Sequence, residues 1–235
     1  MVTAHEKSRN EEELRNKRVF ADFTAEEFKR LKKSMRLRKY KKGQVLFDEG
    51  DKRDKVFYLI DGLVKLERYD QSAVYMYTSY VKKDKLFPYG ELFSDDVYHY
   101  SAYALTDIEL YYFSAELFEE LLANNAKQLL YFYKRLSTIL KEHEERIQFL
   151  VVSSGSSRVI KSLSLLMDEL GEPENNAEIK VPYPITICEV ATISGCSRET
   201  VGNKIRQLKE MGKLDHQHKL FTFKDIAFFR HYSED

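Results

Sequence analysis

The chain has 235 residues, 43% of them hydrophobic and 32% charged, a soluble globular profile with room for two modest domains. Its 38 Lys and Arg balance 38 Asp and Glu, so whole-chain electrostatics gives no reason to bind nucleic acid, and any such affinity must come from local placement of charge. Two cysteines, Cys188 and Cys196, are too few for a disulfide framework or a four-thiolate cluster.

No apolar run reaches the ~18 residues of a transmembrane helix, and residues 1–18 are charged throughout, without the apolar segment of a secretory signal. The expectation is a cytoplasmic protein with no membrane partner. Thr24 and Glu27 form a capping-box pattern for a short helix ending near Lys33. From Met35 to Phe113 the pattern becomes alternating. Strand-like runs at 44–47, 55–60, 63–67 and 74–77 are separated by turn signals at Lys42-Gly43, Glu49-Gly50-Asp51, Asp61-Gly62 and Tyr69-Asp70-Gln71. Short strands at this spacing predict an antiparallel sandwich or barrel, with Asp61-Gly62 as a tight turn.

Ser114 opens a short helix to about Ala123, and a long helical pattern follows from Asn125 to Val152. Leu129, Leu136, Leu140, Ile147 and Leu150 make a stripe in steps of three, four and seven. A helix of roughly 28 residues with such a stripe predicts a dimer-forming coiled coil more readily than a helix packed on its own barrel. The Ser/Gly run 153–157 reads as a linker. The expected organisation is residues 1–124 as a β domain with an N-terminal helical extension, 125–152 as the long helix, and 153–235 as a C-terminal domain. That last domain begins with an amphipathic segment from Arg158 to Leu170, stopped by Gly171-Glu172-Pro173.

The stretch from Ile185 to Leu208 carries the chemistry. Thr186 and Glu189 form a second capping-box pattern, Gly195 supplies a tight turn, and Ser197 can cap a second helix. Val201, Ile205 and Leu208 share one face of that helix and are expected to pack on Val190 and Ile193. Arg198, Glu199 and Asn203 point elsewhere, from the turns that enter the major groove in a helix-turn-helix. Arg can donate two hydrogen bonds to guanine, Glu can accept from cytosine, and Asn can pair with adenine. Ser197, Thr200, Lys204 and Arg206, with Lys209 and Lys213, suit phosphates. Residues 197–213 hold five cations against two carboxylates, a local excess on a neutral chain. Residues 214–223 read as a hairpin, the wing, in which His216 and His218 are expected as exposed imidazoles, since an isolated H-x-H is too little for a metal site. No nucleophile–base set, metal box or phosphate loop is present, so neither an enzyme nor a cofactor is expected.

Gly195-Cys196-Ser197-Arg198-Glu199-Thr200-Val201-Gly202 resembles the recognition motif of the cyclic AMP receptor protein and its relatives, the CRP/FNR superfamily. By architecture the resemblance spans about residues 35–230. It implies an α+β fold: an N-terminal cyclic-nucleotide-binding-type β-roll, a long dimerisation helix and a C-terminal winged helix-turn-helix. It further implies a homodimer that reads a TGTGA-type inverted repeat in double-stranded DNA, with RNA polymerase as a partner. Asn203 stands where the receptor protein carries a third base-reading Arg.

The effector pocket implied by the resemblance is altered. Gly90, Glu91 and Leu92 match the start of the phosphate cassette, and Ser101-Ala102 its end, but Tyr100 takes the place of the Arg that pairs with the cyclic phosphate. A phenol supplies neither a cation nor a bidentate fork. His143 and Glu144 fall where the receptor protein contacts adenine. Gating by cyclic AMP is therefore not expected, and the N-terminal half lacks the cysteines of the oxygen-sensing branch. An unidentified small-molecule effector or a thiol redox switch stays open, although Cys188 and Cys196 read first as small buried packing residues. The cassette and the Ser-Arg-Glu-Thr helix are most similar to regulators of anaerobic arginine-deiminase pathways in Gram-positive bacteria.

Overall fold

The computed structural model describes residues 12–71, 76–152, 154–175 and 177–232. The chain divides into two compact units, Met1–Arg68 with Ser79–Leu140, and Tyr69–Thr78 with Lys141–Asp235.

In the first unit, helix α1 (Ala25–Ser34) carries the expected capping box, with Thr24 and Glu27 each accepting the other's backbone N–H. Eight strands follow: β1 (Arg36–Tyr40), β2 (Val45–Phe47), β3 (Lys55–Asp61), β4 (Leu63–Tyr69), β5 (Met76–Lys82), β6 (Lys85–Phe87), β7 (Ser101–Ala104) and β8 (Ile108–Ser114). They form two four-stranded sheets, β1-β8-β3-β6 and β2-β7-β4-β5. The barrel expected from alternation is present, but Asp61-Gly62 does not close a hairpin. Its flanking strands lie in different sheets, so the turn carries the chain from one sheet to the other. Gly62 sits at φ +86° with its Hα edge against the Asp107 carbonyl, where a Cβ has no room.

Strand β3 shows why the barrel stands. Val56, Phe57, Tyr58 and Leu59 are all buried, so both faces are covered. Phe57 and Leu59 point into the barrel with Phe47, Tyr98, Ala102 and Leu110. Val56 and Tyr58 point the other way, onto Phe20, Phe113 and Phe118. Phe118 belongs to α2 (Ala115–Ala123), capped by Ser114. Helix α3 (Ala126–Val152) then runs for 27 residues. Its start is tied down by Gln128, fully buried, whose amide donates to the Val19 carbonyl and accepts from the Asp22 N–H. The strand-like residues Val74 and Tyr75 lie outside the described residues.

In the second unit, α4 (Gly155–Leu170) begins earlier than the Ser/Gly run suggests. Ser154 accepts from the Ser157 N–H and caps it, so Gly155, Ser156 and Ser157 are its first turn. Burial of Val159, Ile160 and Leu163 along its inner face outweighs the low helix propensity of that turn. The expected five-residue linker thus shrinks to the few residues between Val152 and Gly155; Ser153 is outside the described residues. Helices α5 (Ile187–Ser194) and α6 (Arg198–Glu210) follow, then a sheet of order β11-β12-β10-β9, built from β9 (Glu172–Pro173), β10 (Ile179–Val181), β11 (Leu214–Gln217) and β12 (Leu220–Phe223). A short α7 (Ile226–Arg230) completes the unit.

Candidate nucleic-acid interface

The α5–α6 pair has the geometry of a helix-turn-helix. Thr186 and Glu189 cap α5 reciprocally, and Glu189 is itself buried. Gly195 adopts the left-handed conformation, φ 60° and ψ 33°, which turns the chain sharply without a Cβ penalty. Ser197 caps α6 by accepting from the Thr200 N–H. Val201, Ile205 and Leu208 are buried, as are Val190 and Ile193 of α5, so one face of α6 is fixed and the opposite face is presented to solvent.

On that outer face lie Arg198, Glu199, Asn203 and Arg206, all exposed. Arg198 and Glu199 are the first two residues of the helix. Glu199, Asn203 and Arg206 make no hydrogen bond or ion pair with any described residue. Arg198 has only a long contact from Nη1 to the Cys188 Sγ, at 3.8 Å. The backbone-contact candidates differ. Thr200 shares its hydroxyl with Ser197 at 2.9 Å, and Lys204 donates to Gln207 at 2.8 Å, so both are engaged locally.

One positioning residue went unread in the sequence. Arg158, on the first turn of α4, donates from Nε to the Ser194 carbonyl at 3.1 Å and from Nη2 to the Cys196 Sγ at 3.6 Å. The Cys196 thiol in turn donates to the Gly155 carbonyl. These contacts clamp the turn against α4. Only the three-dimensional neighbourhood exposes this role, because an Arg in a helical first turn ordinarily reads as solvated. The two cysteines are not the buried packing residues expected: Cys188 is exposed and Cys196 half-buried. Cys188 lies in the first turn of α5, beside Arg198, and Cys196 lies at the turn, against Arg158.

The wing is β11–β12, closed by His218 and Lys219, both at positive φ, as a two-residue hairpin loop requires. His218 is exposed as expected. His216 is not. Its ring stacks on Phe221 at 4.1 Å, and Nε2 lies 3.4 Å from the Ile185 carbonyl. Burial holds its pKa below the ordinary imidazole value, against the pull of that carbonyl. Among the described residues no group of three or more His, Cys, Asp or Glu could hold a metal.

The cassette residues sit in the first unit. Gly90 is exposed and Leu92 half-buried. Glu91 is buried, 2% exposed; its Oε1 accepts from the His99 N–H at 3.0 Å, while Oε2 is buried without a hydrogen-bond partner. Burial pushes its carboxyl above the ordinary value, opposed by the His99 N–H and by Arg53. Arg53 itself is committed to Glu119 at 2.6 Å and to the Asp95 carbonyl at 2.7 Å. Tyr100 is half-buried, its ring 6.2 Å from that of Phe47, and Ser101 accepts from the Glu49 N–H. His143 belongs to the second unit, where its Nε2 lies 3.5 Å from the Tyr77 hydroxyl and burial, with Arg146 nearby, holds its pKa down.

The stripe on α3 is uncovered in the single chain. Tyr133, Leu140, Ile147 and Val151 are each at least 60% exposed, and Leu129 and Leu136 are at 37%. Leu150 is half-buried. Beside its first half, Leu92, Phe93, Leu129, Phe132, Tyr133 and Leu136 line an apolar groove of about 420 Å³. No helix of the described residues is long and apolar enough to cross a membrane.

Residues 37–125 match the cyclic nucleotide-binding domain family. An HTH-type transcriptional regulator named ArcR from Staphylococcus epidermidis is 29% identical over 74% of this chain and 75% of its own length. ArcR of Staphylococcus aureus is 28% identical over 78% of this chain and 77% of its own. Among solved structures, a transcriptional regulator of the CRP/FNR family from Thermus thermophilus is 26% identical, with TM-score 0.62 over 83% of this chain and 96% of that one. FixK2 from Bradyrhizobium japonicum shares the fold at 15% identity, TM-score 0.73, over 86% of this chain and 98% of that one.

Proposed function

Because this chain is a transcription regulator of the CRP/FNR superfamily, with ArcR-named relatives, we propose that it acts as a homodimer that reads a TGTGA-type inverted repeat without gating by cyclic AMP. The observation that carries the proposal is the placement of Arg198 and Glu199. They stand side by side and exposed at the start of a helix whose other face is locked by Val201, Ile205 and Leu208. A guanidinium and a carboxylate there match the donor and acceptor edges of adjacent base pairs in the major groove. Asn203 reads a third base, and Ser197, Thr200, Lys204 and Arg206 meet phosphates.

In this proposal residues 1–124 form a sensor-like domain, 125–152 the dimerisation helix and 153–235 the DNA-binding domain of a cytoplasmic, non-enzymatic regulator that works with RNA polymerase. The exposed stripe on α3 supports dimerisation, since an apolar surface of that extent is rare on a monomer. The replacement of the cassette Arg by Tyr100, and the inward turn of Glu91, support independence from cyclic AMP. Similarity to arginine-deiminase regulators supports targets among such operons, which sequencing of the DNA captured with the protein tests.

Fluorescence anisotropy with a TGTGA palindrome tests the central claim. A Kd on the order of 10⁻⁸ M or tighter is expected, at least about a thousandfold below that for scrambled DNA. Equal affinity for the two duplexes would refute it.

A second reading has its own observation. Cys188 is exposed and lies 3.8 Å from the guanidinium of Arg198, so a modified thiol there meets a base-reading side chain. Thiol control of DNA binding predicts that blocking Cys188 with N-ethylmaleimide abolishes specific binding, and that Cys188→Ser is insensitive to the reagent. Unchanged binding by the blocked protein would remove this reading.

A further inference from the structure

A second cavity, of about 240 Å³, opens on the first unit. No residue of α3 lines it, and of the cassette span, residues 90–102, only Tyr98 borders it. One wall is aromatic. Phe47 stacks on Tyr98 with ring centroids 3.8 Å apart and on Phe57 at 5.4 Å, and all three rings border the cavity with Tyr40 and Tyr112.

Tyr40 is 6% exposed, and its hydroxyl, like that of half-buried Tyr112, has no hydrogen-bond partner among the described residues and is open to solvent. Both can turn to a ligand in the cavity, whereas the Tyr98 hydroxyl donates to the Lys55 carbonyl at 2.9 Å. Burial pushes the Tyr40 phenol above its ordinary pKa, against the opposing fields of Arg38 and Lys55, so at neutral pH it is protonated and can donate.

Charge at the rim favours an anion. Asp54 is engaged by the Lys55 ammonium at 2.9 Å, and the Asp51 carboxylate accepts from the Asp48 N–H at 3.0 Å. Arg38, whose guanidinium lies 4.6 Å from the Tyr40 ring centroid, and Lys52 have no carboxylate partner among the described residues. An aromatic wall alone also suits organic cations, but Arg38, Lys52 and Lys55 outnumber Asp51 and Asp54 here, and the excess positive charge disfavours one. The volume equals roughly eight waters, below the range of drug-sized pockets, and suits a small ligand.

We propose that this cavity is a binding site for a small aromatic carboxylate. The carboxylate meets the Arg38 fork and the Tyr40 and Tyr112 hydroxyls, and the ring lies against Phe47 and Phe57. The inference does not depend on how the chain reads DNA.

Benzoate is the probe, titrated into the full chain by ligand-observed NMR, with benzamide as its uncharged counterpart. For nine heavy atoms, a Kd on the order of 1 mM is expected. Tyr40→Phe keeps the ring and removes only the hydroxyl; Arg38→Gln removes the fork and changes an exposed side chain. Each is expected to weaken benzoate by roughly tenfold, the size of a hydrogen bond to a charged group, while leaving the thermal melt unchanged. Benzamide is expected to bind at least as weakly as benzoate binds the variants. Absence of saturable benzoate binding up to about ten times that Kd overturns the proposal. So does binding that either substitution leaves intact, or equal affinity for benzamide.

Discussion

Replacing Glu199 with Ala isolates base reading from folding. Glu199 is the second residue of α6, exposed, with no hydrogen bond or ion pair to any described residue, so truncation removes no contact from the fold. The only structural loss is a carboxylate near the positive end of the helix, worth about 0.3 kcal/mol at an exposed site, a shift of one or two degrees in melting temperature. The loss on DNA is larger. An acceptor bonded to a cytosine amino group discriminates by roughly 1–3 kcal/mol, about 5- to 150-fold, at one base pair of each half-site. Competition binding against operators carrying all four base pairs at each position of the half-site measures it. The variant is expected to lose discrimination at one position and keep the others, with a near-native melt. A variant that keeps full discrimination everywhere, or that weakens every sequence equally, would refute the assignment of Glu199 as a base reader.

The remaining expectations are briefer. Arg206→Ala weakens specific and non-specific DNA alike and lowers the slope of log K against log salt by about 2, one contact from each protomer of the proposed dimer, read from anisotropy at several salt concentrations, because Arg206 is an exposed cation suited to phosphate. Leu140→Glu is expected to give a folded monomer by sedimentation velocity, since Leu140 is 60% exposed in the single chain and a charge there costs only the dimer. Gly62→Ala is expected to lose more than about 4 kcal/mol in urea unfolding, as its Cβ would stand 2.4 Å from the Asp107 carbonyl at φ +86°. His216 has a folded pKa held below the ordinary 6.5 by burial, so the folded protein binds fewer protons than the unfolded chain just below that pH. Stability therefore rises with pH through that window and is lost as pH falls below about 6.5; His216→Phe is expected to flatten this part of the urea-midpoint profile. Cyclic AMP at a thousandfold over a nucleotide-type Kd would add about 4 kcal/mol to stability, and no shift of the melt is expected.

The starts of α1 and α5 and the turn between α5 and α6 were legible because their signals are local. Thr24–Glu27 and Thr186–Glu189 are side-chain-to-backbone bonds across three residues, and Gly195 declares a left-handed turn by its identity. What stayed hidden depends on partners far along the chain. Strand β1 is exposed at four of its five positions and shows no alternation, yet it pairs with β8. The Asp61-Gly62 signal fixed a turn but not which strands it joins, since pairing into separate sheets is a property of the whole barrel. Gln128 looks like a surface residue of an amphipathic helix, and only the carbonyl of Val19 and the N–H of Asp22 explain its burial. The same limit applies to His216, whose stacking on Phe221 follows from the hairpin register.

Two glutamates, one in each unit, differ in how freely their carboxylates can accept a hydrogen bond from a ligand. Both belong to motifs that use a carboxylate as an acceptor. Glu199 is exposed and unpartnered, so its lone pairs are available at the cost of displacing water alone. Glu91 is 2% exposed, and its Oε1 is already bonded to the His99 N–H. Its Oε2 has no partner, but it is buried, so a ligand has to reach into the fold to meet it. The nearby Arg53 gives Nη2 to Glu119 and Nε to the Asp95 carbonyl, while its Nη1 is buried without a partner. At the position of the cassette Arg, Tyr100 brings a phenol. Restoring an Arg at residue 100 would therefore add the fork for a cyclic phosphate without exposing the carboxylate. Tyr100→Arg alone is not expected to confer cyclic nucleotide binding, because Glu91 would still be buried.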